Sequence, residues 1–289
     1  MRFIVIANPV AGRGLAQASL PKLEDELKLL GISYDLKLTD SPNHASLLAA
    51  QAENYEGIIA VGGDGTINEV VNGMPKDKPL CVVPLGTGND LARSLKIPFG
   101  LESLKTITQG KIKAINMGLE NEGLFVSSVA LGLASDVMQR VNSKRNHRLI
   151  RGSLAIYLDI VASAFGLKPL TLRIEADDKV REVKSILTYV MNTPYTGGGL
   201  FLAPKANPTD HLLDVVIVRD TKGFEILKLL PGVYSGKHVN HPHVEFLRAK
   251  NVTITSLEPA PKMIDGEIKG YTPLKASVST ENLLVYQPS

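Results

Sequence analysis

Over the first 118 residues, short apolar runs alternate with longer segments whose apolar positions recur at helical spacing. Phe3 to Ala7 is an apolar run, and residues 2–7 read as a strand. Leu15 to Leu30 reads as a helix, with Leu23, Leu27 and Leu30 on one face and Gly31 as its C-terminal stop. Ile32 to Leu38 alternates as a strand, and Asn43 to Asn54 reads as a second helix. Gly57 to Val61 is a third strand, Ile67 to Asn72 begins a third helix, and Leu80 to Val83 is a fourth strand. Strand and helix in strict alternation predict an α/β domain, a parallel sheet with helices on its faces.

Beyond Gly118 the pattern changes. Gly123 to Ala130, Leu170 to Ala176, Val180 to Met191, Leu213 to Val218, Val244 to Leu247, Val252 to Ser256 and Leu274 to Val278 read as strands separated by turn residues. A largely antiparallel β domain follows, with helices over Ser135 to Val141 and Leu149 to Phe165.

Three of the first domain's strands run into glycine- or proline-marked loops. These are Asn8-Pro9-Val10-Ala11-Gly12-Arg13-Gly14, Gly62-Gly63-Asp64-Gly65-Thr66, and Gly86-Thr87-Gly88-Asn89-Asp90. A parallel strand order brings all three to one edge, where such sheets bind ligands. Glycines between a strand and a helix let backbone approach a ligand closely, and the amides opening a helix suit phosphate. Asp64 beside a phosphate implies a Mg²⁺ to separate the two anions, with Asp90 in support. Arg13 and Arg93 are candidates for phosphate oxygens or plain surface residues.

Composition narrows the class. The chain has 289 residues, 44% hydrophobic and 21% charged, which suits a globular protein of one or two domains. No apolar run spans a bilayer and no signal peptide is evident, and the single cysteine, Cys81, has no partner, so a cytoplasmic location is expected. A net charge of +3, no Trp and no basic stripe interleaved with aromatics argue against nucleic acid. The P-loop, dinucleotide-fold and protein-kinase signatures are absent. His238, His241 and His243 read as surface residues on a loop rather than a zinc site. The run Lys144 to Arg148, with Arg151, reads as a solvated lead into the apolar stretch Ile150 to Phe165.

Asn8-Pro9 with Gly12, then Gly62 to Asn68, then Gly86-Thr87-Gly88-Asn89-Asp90-Leu91-Ala92-Arg93, and late in the chain Asp265-Gly266-Glu267, together resemble the diacylglycerol kinase catalytic-domain family. The likeness is greatest to its soluble bacterial lipid kinases, relatives of sphingosine and ceramide kinases. It spans essentially the whole chain. The Gly-Gly-Asp-Gly stretch alone is shared with NAD kinases.

The resemblance implies an ATP-binding α/β domain over 1–118 and a β-sandwich-like lipid domain over 119–280, with 281–289, around Leu283 to Tyr286, returning to the first. It implies ATP and Mg²⁺ as cofactors. ATP contacts map onto Asn8, Pro9, Val10, Ala11, Gly12, Thr39, Gly62, Gly63, Asp64, Gly65, Thr66, Ile67, Asn68 and Thr87. It implies Glu267 as general base, beside Asp64, and a Mg²⁺ site on Asn207, Asp210 and the Leu212 carbonyl. Family members often carry Asp where this chain has Asn116, and glycine where it has His211.

The expectation is therefore an ATP- and Mg²⁺-dependent lipid kinase, meeting its lipid by peripheral contact with a membrane surface. The alternatives are an NAD kinase-like enzyme and a non-catalytic nucleotide- or lipid-binding protein. The lipid, the choice of ATP over GTP and a homodimer are left open by the sequence.

Overall fold

The computed structural model describes residues 2–121, 123–143, 168–221 and 223–289. The sequence-predicted helix over Leu149 to Phe165 and the basic run Lys144 to Arg148 with Arg151 lie outside the described residues. The chain divides into two compact units, Met1–Asn116 with Thr280–Ser289, and Met117–Ser279.

In the first unit β1 (Arg2–Ala7), β2 (Ser33–Leu38), β3 (Gly57–Gly62) and β4 (Leu80–Pro84) form a parallel sheet in the order β2-β1-β3-β4. The returning strand β15 (Leu274–Gln287) lies parallel beside β4, with Val285 opposite Leu80. Every residue of β3 and β4 is buried, as expected where helices cover both faces of a parallel sheet. Phe3, Val5, Ile59, Val61, Cys81 and Val83 share one core with Leu23 and Leu27 of α1 (Leu15–Leu29). Burial pushes the Cys81 thiol up to about 12, so it behaves as a core methyl-sized group rather than a nucleophile.

Two local readings shift. The second helix is α2 (His44–Ala49), followed by a separate 3₁₀ turn at Ala52–Asn54. The third helix, α3 (Asp64–Gly73), opens three residues earlier than its apolar spacing suggests. Extended Gly63 caps it, and its carbonyl accepts the Ile67 amide at 3.0 Å, so Asp64, Gly65 and Thr66 form the first helical turn.

The chain leaves this unit through β5 (Lys111–Glu120), whose charged Lys111 and Lys113 hide a strand from pattern reading. In the second unit, β9 (Lys179–Met191) is the central strand. Its first half pairs antiparallel with β8 (Leu170–Ala176), and its second half lies between β7 (Ser128–Gly132) and β10 (Leu213–Arg219). β11 (Val244–Ala249) continues from β10, and β12 (Asn251–Ser256) joins β8 to the start of β15. Phe125, Val129, Leu172, Ile174, Val190, Val215 and Ile217 fill the space between the strands. The architecture is β-sandwich-like.

The expected strand over Gly123 to Ala130 is instead two, Gly123–Phe125 (β6) and β7. Its break has a physical cause. The amides of Val126, Ser127 and Ser128 donate to the Asp265 carboxylate at 2.7, 2.8 and 2.8 Å, so they are withdrawn from any ladder. The short hairpin β13 (Pro261–Ile264) and β14 (Glu267–Tyr271) pairs with β7 and is not legible in the sequence. A helix spans Leu133–Ser143, and an unforeseen one spans Gly223–Ser235, with Pro231 inside it.

Candidate active site

In the first unit the three loops interlock at the carboxyl ends of β1, β3 and β4. The strand order reverses direction between β1 and β3, the place where open α/β sheets leave a ligand crevice. Asn8 follows β1, and its Nδ2 donates to Thr66 Oγ1 at 3.0 Å, while its Oδ1 accepts the Val10 amide at 3.2 Å. Thr66 is only 5% exposed, so this bond fixes the Asn8 loop to the first turn of α3. Gly12 has φ +57°, and a Cβ there would stand 2.1 Å from the Leu85 carbonyl oxygen. Only glycine allows the first loop to rest on the third.

The second and third loops meet backbone to backbone. A Cβ on Gly86 would fall 2.3 Å from the Gly63 Cα. Asn89, at φ +55°, closes the third loop on itself through Gly86 N–H to Oδ1 at 2.9 Å and Nδ2 to the Gly86 carbonyl at 3.0 Å. Asp64 Oδ1 accepts the amide of Asp90 at 2.8 Å and that of Leu91 at 3.4 Å. It thereby caps the short helix α4 (Asp90–Ser94) and ties the Gly62 loop to the Gly86 loop.

The remaining sequence-predicted positions fall as follows. Pro9, Val10 and Ala11 lie in the turn leaving β1, and Gly62 ends β3. Gly63 is the α3 cap, while Asp64, Gly65, Thr66, Ile67 and Asn68 belong to α3 itself. Thr39 follows β2 and donates its amide to the Ala7 carbonyl at 2.9 Å, at the same sheet edge. Thr87 is exposed at the tip of the third loop. Arg93 stacks over Phe99, its guanidinium carbon 5.2 Å from the ring centroid. Asn116 is buried and donates to Asn282 at 2.9 Å, a neutral pair.

In the second unit Glu267 opens β14. Its side chain is half exposed, with Lys269 Nζ 3.4 Å away. Asp265, at φ +42°, and Gly266, at φ +87°, make the tight turn that precedes it. The Asp265 bonds to three amides hold that turn, so its carboxylate positions the loop, a role spacing alone does not reveal.

Asn207, Asp210 and Leu212 lie on one turn, but their side chains are engaged. Asn207 Oδ1 accepts the amide and the hydroxyl of Thr209 at 3.2 and 2.8 Å. Asp210 Oδ1 accepts the Leu212 amide at 3.0 Å, and its Oδ2 accepts Arg248 Nη2. A hard divalent cation is held by several oxygens, carboxylates above all, and this turn offers it one carboxylate. That carboxylate already carries the Arg248 guanidinium, which fits a divalent cation poorly. Among the described residues no group of three or more His, Cys, Asp or Glu could hold a metal. His238 departs from expectation. It is buried, with Nε2 donating to the Leu202 carbonyl at 2.8 Å, because it packs under Phe246.

The second unit also contains an apolar cavity of about 150 Å³, lined by Leu133, Val137, Ile186, Leu229, Val233 and Val244 among others. Among the described residues no helix is long and apolar enough to cross a membrane.

Comparison with known proteins accords with this arrangement. The diacylglycerol kinase catalytic domain model matches residues 2–119, and the YegS C-terminal NAD kinase beta sandwich-like domain model matches residues 127–287. A protein named diacylglycerol kinase from Staphylococcus carnosus is 30% identical over 98% of this chain and 94% of its own. One of the same name from Staphylococcus aureus is 31% identical over 99% of this chain and 92% of its own. A solved diacylglycerol kinase structure from Bacillus anthracis superposes with TM-score 0.75 at 21% identity, covering 99% of this chain and 96% of that one. An Archaeoglobus fulgidus NAD kinase solved with ATP shares the fold at TM-score 0.56 and 13% identity, over 100% and 94% of the two chains. The chain belongs to the diacylglycerol kinase catalytic-domain family, ATP-using kinases, and carries that family's YegS-like C-terminal domain.

Proposed function

We propose that this protein transfers the γ-phosphate of ATP to the hydroxyl of a lipid of the diacylglycerol class. The observation that carries the reading is the interlocking of the Asn8, Gly62 and Gly86 loops, through close approaches at Gly12 and Gly86 and through the Asn8–Thr66 and Asp64–Asp90 hydrogen bonds. Such a rigid cradle of backbone amides, opening a helix of ten residues, suits a phosphate chain. The apolar cavity supports an acceptor with hydrocarbon tails.

In this reading Asn8 to Gly12, Thr39, Gly62 to Asn68 and Thr87 surround ATP. The amides of the α3 first turn and Thr66 hold phosphate oxygens. Asp64 and Asp90 put two carboxylates at the loops, which fits a Mg²⁺ on the phosphates; that ion supplies charge neutralisation. Glu267 accepts the proton as the lipid oxygen bonds to the γ-phosphorus. The bond to the bridging oxygen of ADP breaks, ADP departs, and Glu267 returns its proton to solvent. Little covalent work is required of the protein, since phosphoryl transfer rests on alignment and charge compensation. Catalysis at the membrane surface by peripheral contact, in the cytoplasm, completes the proposal.

The test is ATP-dependent phosphorylation of diacylglycerol in mixed micelles, beside an NAD arm. Phosphorylated lipid with unmodified NAD supports the reading. Phosphorylated NAD alone overturns it in favour of the NAD kinase-like alternative.

A further inference from the structure

The turn from Asn207 to Leu212 brings a demand for positive charge. Asp210 sits close to Asp214 on β10, whose side chain is only 4% exposed. Among the described residues Asp214 Oδ2 has no hydrogen-bond partner, so burial leaves that carboxylate dependent on a nearby cation. The sheet supplies one. Asp214 and Arg248 are directly opposed across β10 and β11, so strand register delivers the guanidinium to this spot. Arg248 Nε lies 3.4 Å from Asp214 Oδ1, and its Nη2 reaches Asp210 Oδ2. One planar fork thus spans both carboxylates, a geometry for which arginine is suited and lysine is not.

We propose that the Arg248 guanidinium is the resident cation of this turn, and that the turn closes without a divalent ion. A Mg²⁺ entering here would compete with Arg248 for Asp210, while the Thr209 and Leu212 bonds draw charge from the Asn207 and Asp210 oxygens. It would then leave the guanidinium as an adjacent like charge. The tethered cation is present at any metal concentration, whereas a free ion must also lose part of its hydration shell. This inference does not rest on the lipid kinase reading, because neither of its readouts involves turnover.

The experiment is a Mn²⁺ titration of the nucleotide-free full chain by electron paramagnetic resonance, with Asp210→Asn as control, beside thermal unfolding in EDTA and in millimolar Mg²⁺. The wild type is expected to bind no Mn²⁺ that Asp210→Asn abolishes, and to unfold at the same temperature in both buffers. Arg248→Gln is expected to unfold roughly 2–4 °C lower in EDTA. A saturable Mn²⁺ site lost in Asp210→Asn, or Arg248→Gln as stable as the wild type, would overturn the proposal. If Arg248→Gln fails to fold, the wild-type titration decides by itself.

Discussion

Gly86→Ala is the sharpest perturbation of the nucleotide cradle. The added methyl would lie 2.3 Å from the Gly63 Cα, 2.9 Å from Asn89 Oδ1 and 3.1 Å from the Gly63 nitrogen. Two of these neighbours are backbone, and the third is the side chain that closes the loop, so no flexible group can yield. Restoring an ordinary carbon contact of about 3.5 Å moves the Gly62 and Gly86 loops apart by roughly 1.2 Å. A displacement near 1 Å in a positioned site costs about 10²-fold in rate, and overpacking costs about 1–3 kcal/mol in stability. The assay is ATP-dependent lipid phosphorylation alongside nucleotide affinity and thermal unfolding. Gly232→Ala is a useful comparison, because its Cβ would meet nothing nearer than 3.4 Å. A Gly86→Ala protein that folds and turns over within a few-fold of wild type would refute the idea that loop contact sets the phosphate geometry.

Thr66→Val should destabilise the first unit by about 1–3 kcal/mol, because the Asn8 amide loses its acceptor, and chemical denaturation would measure it. Ala134→Phe, projecting into the apolar cavity, should raise KM for long-chain lipids about 10-fold with little effect on short-chain analogues; equal effects on both would exclude the cavity as a tail site. The Lys250 amide, with that of Asn251, holds the Asp177 carboxyl below its ordinary value of 3.8. Its stabilisation is therefore complete above that value and is lost as pH falls through the lower folded value, so Asp177→Asn should flatten the acid limb of a stability–pH curve. An unchanged limb would assign acid unfolding to other groups.

What the sequence reveals follows from how local each cause is. β1, β3 and β4 are buried on both faces, so their apolar runs stand out, and the glycines at their ends mark the loops without knowledge of what they touch. The helix at Gly223–Ser235 is hidden because Gly223, Pro231 and Gly232 read as breakers, while the buried Ile226, Leu229 and Leu230 hold it against the core. The division of Gly123 to Ala130 into two strands depends on Asp265, more than 130 residues away. Asp64 as the cap of α4, and Arg248 as partner of Asp210, are likewise contacts between distant segments. Residue type and spacing identify candidate chemistry, but they do not tell which oxygens are already engaged. That is why spacing marks Asn207, Asp210 and Leu212 as ligands without revealing that Arg248 stands on Asp210.

The most direct test of the central claim is phosphate transfer from ATP across a panel of lipids in mixed micelles, comparing wild type with Glu267→Gln. The account predicts transfer to one lipid class, reduced by about 10²–10⁴-fold in the variant while ATP affinity is retained. Near-normal turnover in Glu267→Gln would remove that residue from the proton-accepting role. No transfer to any lipid by a wild type that still binds ATP would contradict the lipid kinase reading itself.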